Sequence, residues 1–305
     1  MNTPVVFLVF NRPELTKKVF ARIREARPPK LLVVCDGPRN SHPGDMEKIS
    51  EVRRVIREGI DWPCEVHSNY SDENLGCRLR VTSGLYWAFS IVEEAIILED
   101  DCLPDASFFR FCEELLTRYR TEPRVMHIGG NNFLRGSVSF PTSYAFSRYG
   151  HIWGWATWRR AWSLYEGDAH SWKSAPVRQR ILAGMPLADE RGYWGAIFEE
   201  CAKRPDSQTT WDFQWTLSCW REEGIAIYPA VNLVENIGIG GDSTHTTERA
   251  RRLAVKADTC ILPYRHPREM KISRPLEQAI FHSVFMEPTP LRKRIRRAFK
   301  LLVRA

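Results

Sequence analysis

Three consecutive carboxylates, Glu99, Asp100 and Asp101, follow the apolar run 95–98. Such a run reads as a buried strand, and chains place ligand chemistry just beyond the carboxyl ends of buried parallel strands. Side-by-side acids repel one another and lose hydration, so a cation should hold them together: a divalent metal, or basic side chains. Hard carboxylate oxygens suit magnesium or manganese, ions that keep coordination room for substrate phosphates. An acidic surface turn is the plainer reading of the same three residues. Two other strand ends carry complementary groups. Asn11 and Arg12 follow the run 4–10, where Arg12 can pair with phosphate. Asp36 ends the run 30–36, where it can accept a hydrogen bond from a base or ribose. Jointly the three ends suit a nucleoside diphosphate, although an Asp-Gly-Pro turn at 36–38 needs no ligand.

Holding three strand ends side by side takes an alternation of strands and helices. Strands are expected at 4–10, 30–36, 63–68, 95–98, 125–128 and 225–228. Between them, Pro13 opens a helix running to about residue 26, and Met46, Ile49, Val52, Val55 and Ile56 give 45–59 helical spacing. Further helices are expected at 77–89, 108–120 and 210–223. That order implies an α/β fold, a parallel sheet with helices on both faces. Residues 151–172 contain five tryptophans, and the spacing of Trp155, Trp158 and Trp162 fits a helix packed into the core, with sugar stacking open to others. A glycine-rich loop follows at 232–247. No repeat or low-complexity linker divides the chain, so one continuous domain is expected.

With 305 residues and 43% hydrophobic content the chain can bury a substantial core. Residues 291–305 hold seven of the 44 Lys and Arg and no acid; the remaining 37 equal the 37 acids. The net charge of +7 therefore belongs to the tail, and no nucleic-acid partner is expected for the body. The eight cysteines are scattered without a Cys-x-x-Cys pair, which fits reduced, buried thiols. The run 5–10 is too short for a signal peptide, so the expected location is cytoplasmic.

Taken in order, these residues resemble a family: the inverting, metal-dependent glycosyltransferases of the GT-A fold, in particular the group typified by N-acetylglucosaminyltransferase I. The elements carrying the resemblance are Phe10-Asn11-Arg12 before a helix, Asp36, the Glu99-Asp100-Asp101 motif and Pro104-Asp105 before Phe108-Phe109. Later come Trp153-Gly154-Trp155, Trp211-Asp212 and Gly241-Asp242-Ser243-Thr244-His245. The resemblance spans residues 4–247.

It implies a Rossmann-like GT-A sheet with a nucleotide-sugar-binding half at 1–130, an acceptor-binding and catalytic half at 131–260, and an extension at 261–305. It implies a UDP-sugar donor such as UDP-GlcNAc or a related hexose, a saccharide acceptor and Mn2+ or Mg2+. Asp101 would bind the metal, Asp100 would touch the ribose and Asp36 the uracil. Phe10, Asn11, Arg12, Glu99, Asn74 and Arg78 would complete the nucleotide and pyrophosphate site. Asp212 would be the general base, where the residue alone reads as a helix N-cap. His245 would reach phosphate or metal, where a lone loop histidine is otherwise exposed.

Leu291, Ile295, Phe299 and Leu302 recur at helical spacing among the tail's basic residues. That pattern suits an amphipathic helix on an anionic membrane, or one docked on the body. On the membrane reading the enzyme is peripheral at a bacterial inner membrane, and a lipid-linked saccharide of polysaccharide or lipopolysaccharide assembly becomes an acceptor. The rivals are a nucleotidyltransferase, which would need a lysine-bearing glycine loop after the first strand, and a non-catalytic saccharide-binding protein.

Overall fold

The computed structural model describes residues 1–239 and 253–286. Four parallel strands form its first half: β1 (Val5–Val9), β2 (Lys30–Cys35), β3 (Glu65–Tyr70) and β4 (Glu94–Glu99). They stand in the order β3-β2-β1-β4, with Val5 beside both Leu31 and Ile96. β1, β2 and β4 are nearly continuous runs of Val, Ile and Leu because helices cover both faces. In β1, Val6 and Leu8 join one core while Val5, Phe7 and Val9 join the other. The connecting helices are α1 (Pro13–Ala26), α2 (Asp45–Gly59) and α3 (Gly76–Ile91). Met46, expected in the apolar stripe of α2, is exposed. The chain winds outward from β1 through β2 to β3, then returns to β4 on the other side of β1. The switch point, where the crevice opens, thus lies between the ends of β1 and β4.

The second half departs from the expected parallel sheet. β8 (Trp155–Trp158) runs antiparallel to β4 and to β6 (Val125–Gly129). β9 (Ile225–Pro229) is parallel to β6, and β7 (Tyr144–Ser147) closes the edge antiparallel to β9. The eight-stranded sheet is therefore mixed, within an α/β layout, and it joins both halves into one domain.

The helix expected through Trp155, Trp158 and Trp162 is corrected here. Residues 155–158 are extended, and only α5 (Arg159–Trp162) is helical. A separation of three puts Trp155 and Trp158 on opposite faces of a strand, and the two rings enter different cores. The core role of these rings holds. Trp155 stacks on Trp211 at 5.5 Å and packs against Trp215 at 5.8 Å, and nine of the eleven tryptophans are buried. α4 (Ala106–Arg118) begins at Asp105, whose carboxylate accepts from the Ser107 backbone N–H at 2.9 Å. A two-stranded ribbon pairs β5 (Cys102–Pro104) with β10 (Val234–Asn236), too short to show as a periodicity. Among the described residues the remaining α-helices are α6 (Ala175–Ala183), α7 (Ala188–Lys203), α8 (Asp212–Arg221) and α9 (Arg274–Ile280). All eight cysteines are unpaired thiols and six are buried. Among the described residues no helix is long and apolar enough to cross a membrane.

His127 in β6 shows how the core sets protonation. Its ring stacks on Trp155 at 4.9 Å, and the neutral Nε2–H tautomer satisfies both neighbours. Nε2 donates to the His151 carbonyl at 3.0 Å, while Nδ1 accepts from Trp215 Nε1 at 3.2 Å. Burial lowers its pKa to about 4. The unfolded chain therefore takes up a proton first as pH falls. His127 should remove up to about 3 kcal/mol of stability between pH 6.5 and 4. Urea unfolding across that window should show this slope in the wild type and its loss in His127→Gln; equal slopes would contradict it.

Candidate active site

A cavity of about 670 Å3 opens at the carboxyl ends of β1, β2 and β4, a size suited to a nucleotide-sized ligand. Of the sequence-predicted residues it brings together Phe10, Arg12, Asp36, Asn74, Arg78, Glu99, Asp100 and Asp101. Asn11 turns away and donates from Nδ2 to Asp45 at 2.7 Å, tying the end of β1 to the start of α2. It is not among the residues that line the cavity. His245 lies outside the described residues, as do residues 291–305.

The cation expected beside the acids is, in the protein itself, Arg12. Its Nη1 donates to Asp101 Oδ2 at 2.9 Å and stands 3.6 Å from Asp100 Oδ1. Asp100 also accepts from the Phe10 backbone N–H at 3.2 Å, locking the end of β4 to that of β1. One guanidinium does not balance three carboxylates. Burial first, and then the charge of Asp101, push Glu99 up to about 8 and Asp100 up to about 7, against the pull of Arg12.

Asp101 is the more exposed of the two aspartates, 16% against 8%. The β5–β10 ribbon brings Ile237 and Gly238 onto it: Ile237 N–H donates to the Asp101 carbonyl at 2.8 Å. A Cβ on Gly238 would run into the Asp101 side chain and force it to shift, so glycine lets the ribbon close over that carboxylate. Among the described residues no three His, Cys, Asp or Glu groups converge as a metal-binding cluster. The donor set of hard oxygens in excess negative charge nonetheless fits magnesium or manganese. Such ions bind through one or two carboxylates and complete their shell with water and substrate phosphate.

Asp36 is 5% exposed and fully engaged. Oδ1 accepts from the backbone N–H groups of Gly37 and Leu75, each at 2.9 Å. Oδ2 accepts from Gly76 N–H at 3.0 Å and Asn74 Nδ2 at 3.1 Å. A carboxylate has about four acceptor positions, and the protein fills them. Asp36 thus holds the 74–76 turn against the end of β2. Gly37 permits the approach, since a Cβ there would stand 2.5 Å from the Glu73 backbone. Arg78 reaches across the cavity wall, its Nε donating to the Gln208 carbonyl at 2.9 Å.

Asp212 is the first residue of α8, with Trp211 in the N-cap position. The N-cap reading is therefore corrected: the Asp212 carboxylate accepts from the Thr210 hydroxyl next to the helix start. An acid in the first turn is favoured by the helix dipole. Asp212 does not line the cavity, but its charge raises the pKa of both Glu99 and Cys77. Sequence reasoning missed Arg39 and Asp45, separated in the chain from their partners by loops, and could not say which tryptophan faces the cavity. Trp153 does, alone of the eleven.

No family model and no curated protein matches the chain. Solved structures with a similar layout include the mannosyltransferase PcManGT from Pyrobaculum calidifontis in complex with GDP-Man and Mn2+. It is 14% identical, with 73% of this chain and 69% of that one covered and a TM-score of 0.37. The galactosyltransferase LgtC, in complex with donor and acceptor sugar analogues, is 10% identical over 95% and 99% of the two chains, with a TM-score of 0.39. A UDP-glucose pyrophosphorylase complexed with UDP-glucose is 9% identical over 78% and 94%, with a TM-score of 0.37. Likenesses at this level assign neither substrate nor reaction to this chain.

Proposed function

We propose that the chain is an inverting glycosyltransferase that moves a hexose from a UDP-sugar to a saccharide hydroxyl. The observation that carries this reading is the under-neutralised Glu99-Asp100-Asp101 cluster at the switch point of the sheet, facing the cavity, with Asp212 in electrostatic reach. When bound at Asp101, magnesium or manganese would neutralise the charge of the departing diphosphate. The protein's own groups do the rest. Arg12 fixes Asp101, the Asn74–Gly76 turn held by Asp36 walls the nucleotide, and Trp153 offers an apolar ring to a sugar. Asp212 takes the proton of the acceptor hydroxyl. The acceptor hydroxyl oxygen then forms a bond to the anomeric carbon from the face opposite the diphosphate, and the anomeric carbon–oxygen bond to phosphate breaks with its electron pair going to the departing phosphate oxygen.

The acceptor we assign is a saccharide, free or lipid-linked, in bacterial surface-polysaccharide assembly on the cytoplasmic face of the membrane. An anionic membrane contact through residues 291–305 belongs to the same proposal and rests on their sequence pattern. Single displacement fixes the stereochemistry. With a UDP-α-sugar, the product linkage should be β by NMR coupling constants, and an α product would contradict Asp212 acting as base for direct attack.

A further inference from the structure

The cavity's polar groups are unevenly committed, which bears on how a base is read; this inference rests on the donor-site reading above. Asp36 has both oxygens filled by four protein donors, so a base presenting an N–H to it finds no acceptor position. Arg39, three residues on, is in the opposite state. Its Nε and Nη2 form a fork with Asp45 at 2.7 and 3.0 Å, and its backbone N–H donates to the same carboxylate at 3.2 Å. The Asp45 side chain is only 3% exposed and is braced further by Asn11. Arg39, and then Asn11, hold that carboxyl well below the usual carboxylate range, so the fork stays charged. The Arg39 guanidinium carbon lies 5.4 Å from the Phe10 ring centroid, which backs one face of the plane.

Arg39 lines the cavity alongside Asp36 and Phe10. Among the described residues its Nη1 makes no hydrogen bond. A guanidinium already fixed at two nitrogens and one face loses little freedom when a ligand arrives, and it carries donors only. It therefore selects acceptors. We infer that Arg39 is the nucleobase-recognising residue of this site, donating from Nη1 to a carbonyl oxygen on the base edge, while Asp36 acts at one remove by holding the 74–76 turn. Uracil offers two such oxygens and adenine none, so the site should favour UDP over ADP.

Calorimetry with UDP, ADP and inorganic pyrophosphate, each with manganese, tests this. A charge-assisted hydrogen bond corresponds to a UDP preference over ADP of about ten- to a hundredfold. Arg39→Ala should bring that ratio close to one while leaving ADP and pyrophosphate affinities unchanged, and Arg39→Lys should not restore it, because the fork geometry is lost. Removing Arg39 alone strands the buried Asp45 carboxylate, so the double variant Arg39→Ala/Asp45→Asn is measured beside it and should show the same collapse. A uniform loss for all three ligands would mean that Arg39 only supports the fold. An unchanged ratio in Arg39→Ala, or its restoration by Lys, would overturn the inference with the donor site intact. A wild type that binds no nucleotide would overturn the donor site itself.

Discussion

In Asp212→Ala, sugar transfer falls by about two to four orders of magnitude while UDP affinity stays as in the wild type. The split follows from where Asp212 sits. It heads α8 outside the cavity lining, so it holds no part of the donor, yet its charge is felt at Glu99 and Cys77. Proton removal from the acceptor belongs to the transition state, so the loss should fall on turnover and not on donor binding. The fold should tolerate the change. A first-turn acid contributes about 0.3–1 kcal/mol through the helix dipole, and the lost contact with Thr210 is local. Single-turnover assays with a labelled donor, beside nucleotide titrations, check this; equal transfer rates in wild type and variant would remove Asp212 from the chemistry.

Asp101→Asn is the second large effect, and its sign differs between function and stability. The metal-dependent part of UDP affinity should fall about a hundredfold or more, because a neutral amide would replace the carboxylate proposed to hold the metal. Stability should hardly change. Loss of the Arg12 partner at 2.9 Å is destabilising, but Asp101 is also the charge that does most to raise the pKa of Glu99 and Asp100, so its neutralisation relieves repulsion in the cluster. Nucleotide titrations with and without manganese, together with thermal unfolding, separate the two. A variant that binds UDP with unaltered manganese dependence would show that Asp101 holds no metal.

The parts of this fold that could be read from the chain are those whose burial leaves a local imprint. β1, β2 and β4 are covered on both faces, so each is an apolar run that ends where the polar site begins. β3 is an edge strand with an exposed face, and its expected span was displaced by two residues. β8 was hidden because a tryptophan at every third or fourth position fits a helix as well as a strand that crosses between two cores. The site was legible as residue types at strand ends. Its wiring was not: Arg12 meets Asp101 across 89 positions, and Asp36 meets the 74–76 turn across about 40. Those pairings fill both oxygens of Asp36 with protein donors, and the fork of Arg39 with Asp45 lies in a stretch that reads in sequence as an ordinary turn.

The most direct test of the donor site is titration calorimetry of the wild type with UDP, with and without manganese. One site per chain is expected, with binding that is strong with manganese and weak without it. No heat of binding with UDP in the presence of manganese would contradict a nucleotide-sugar site at the ends of β1 and β4.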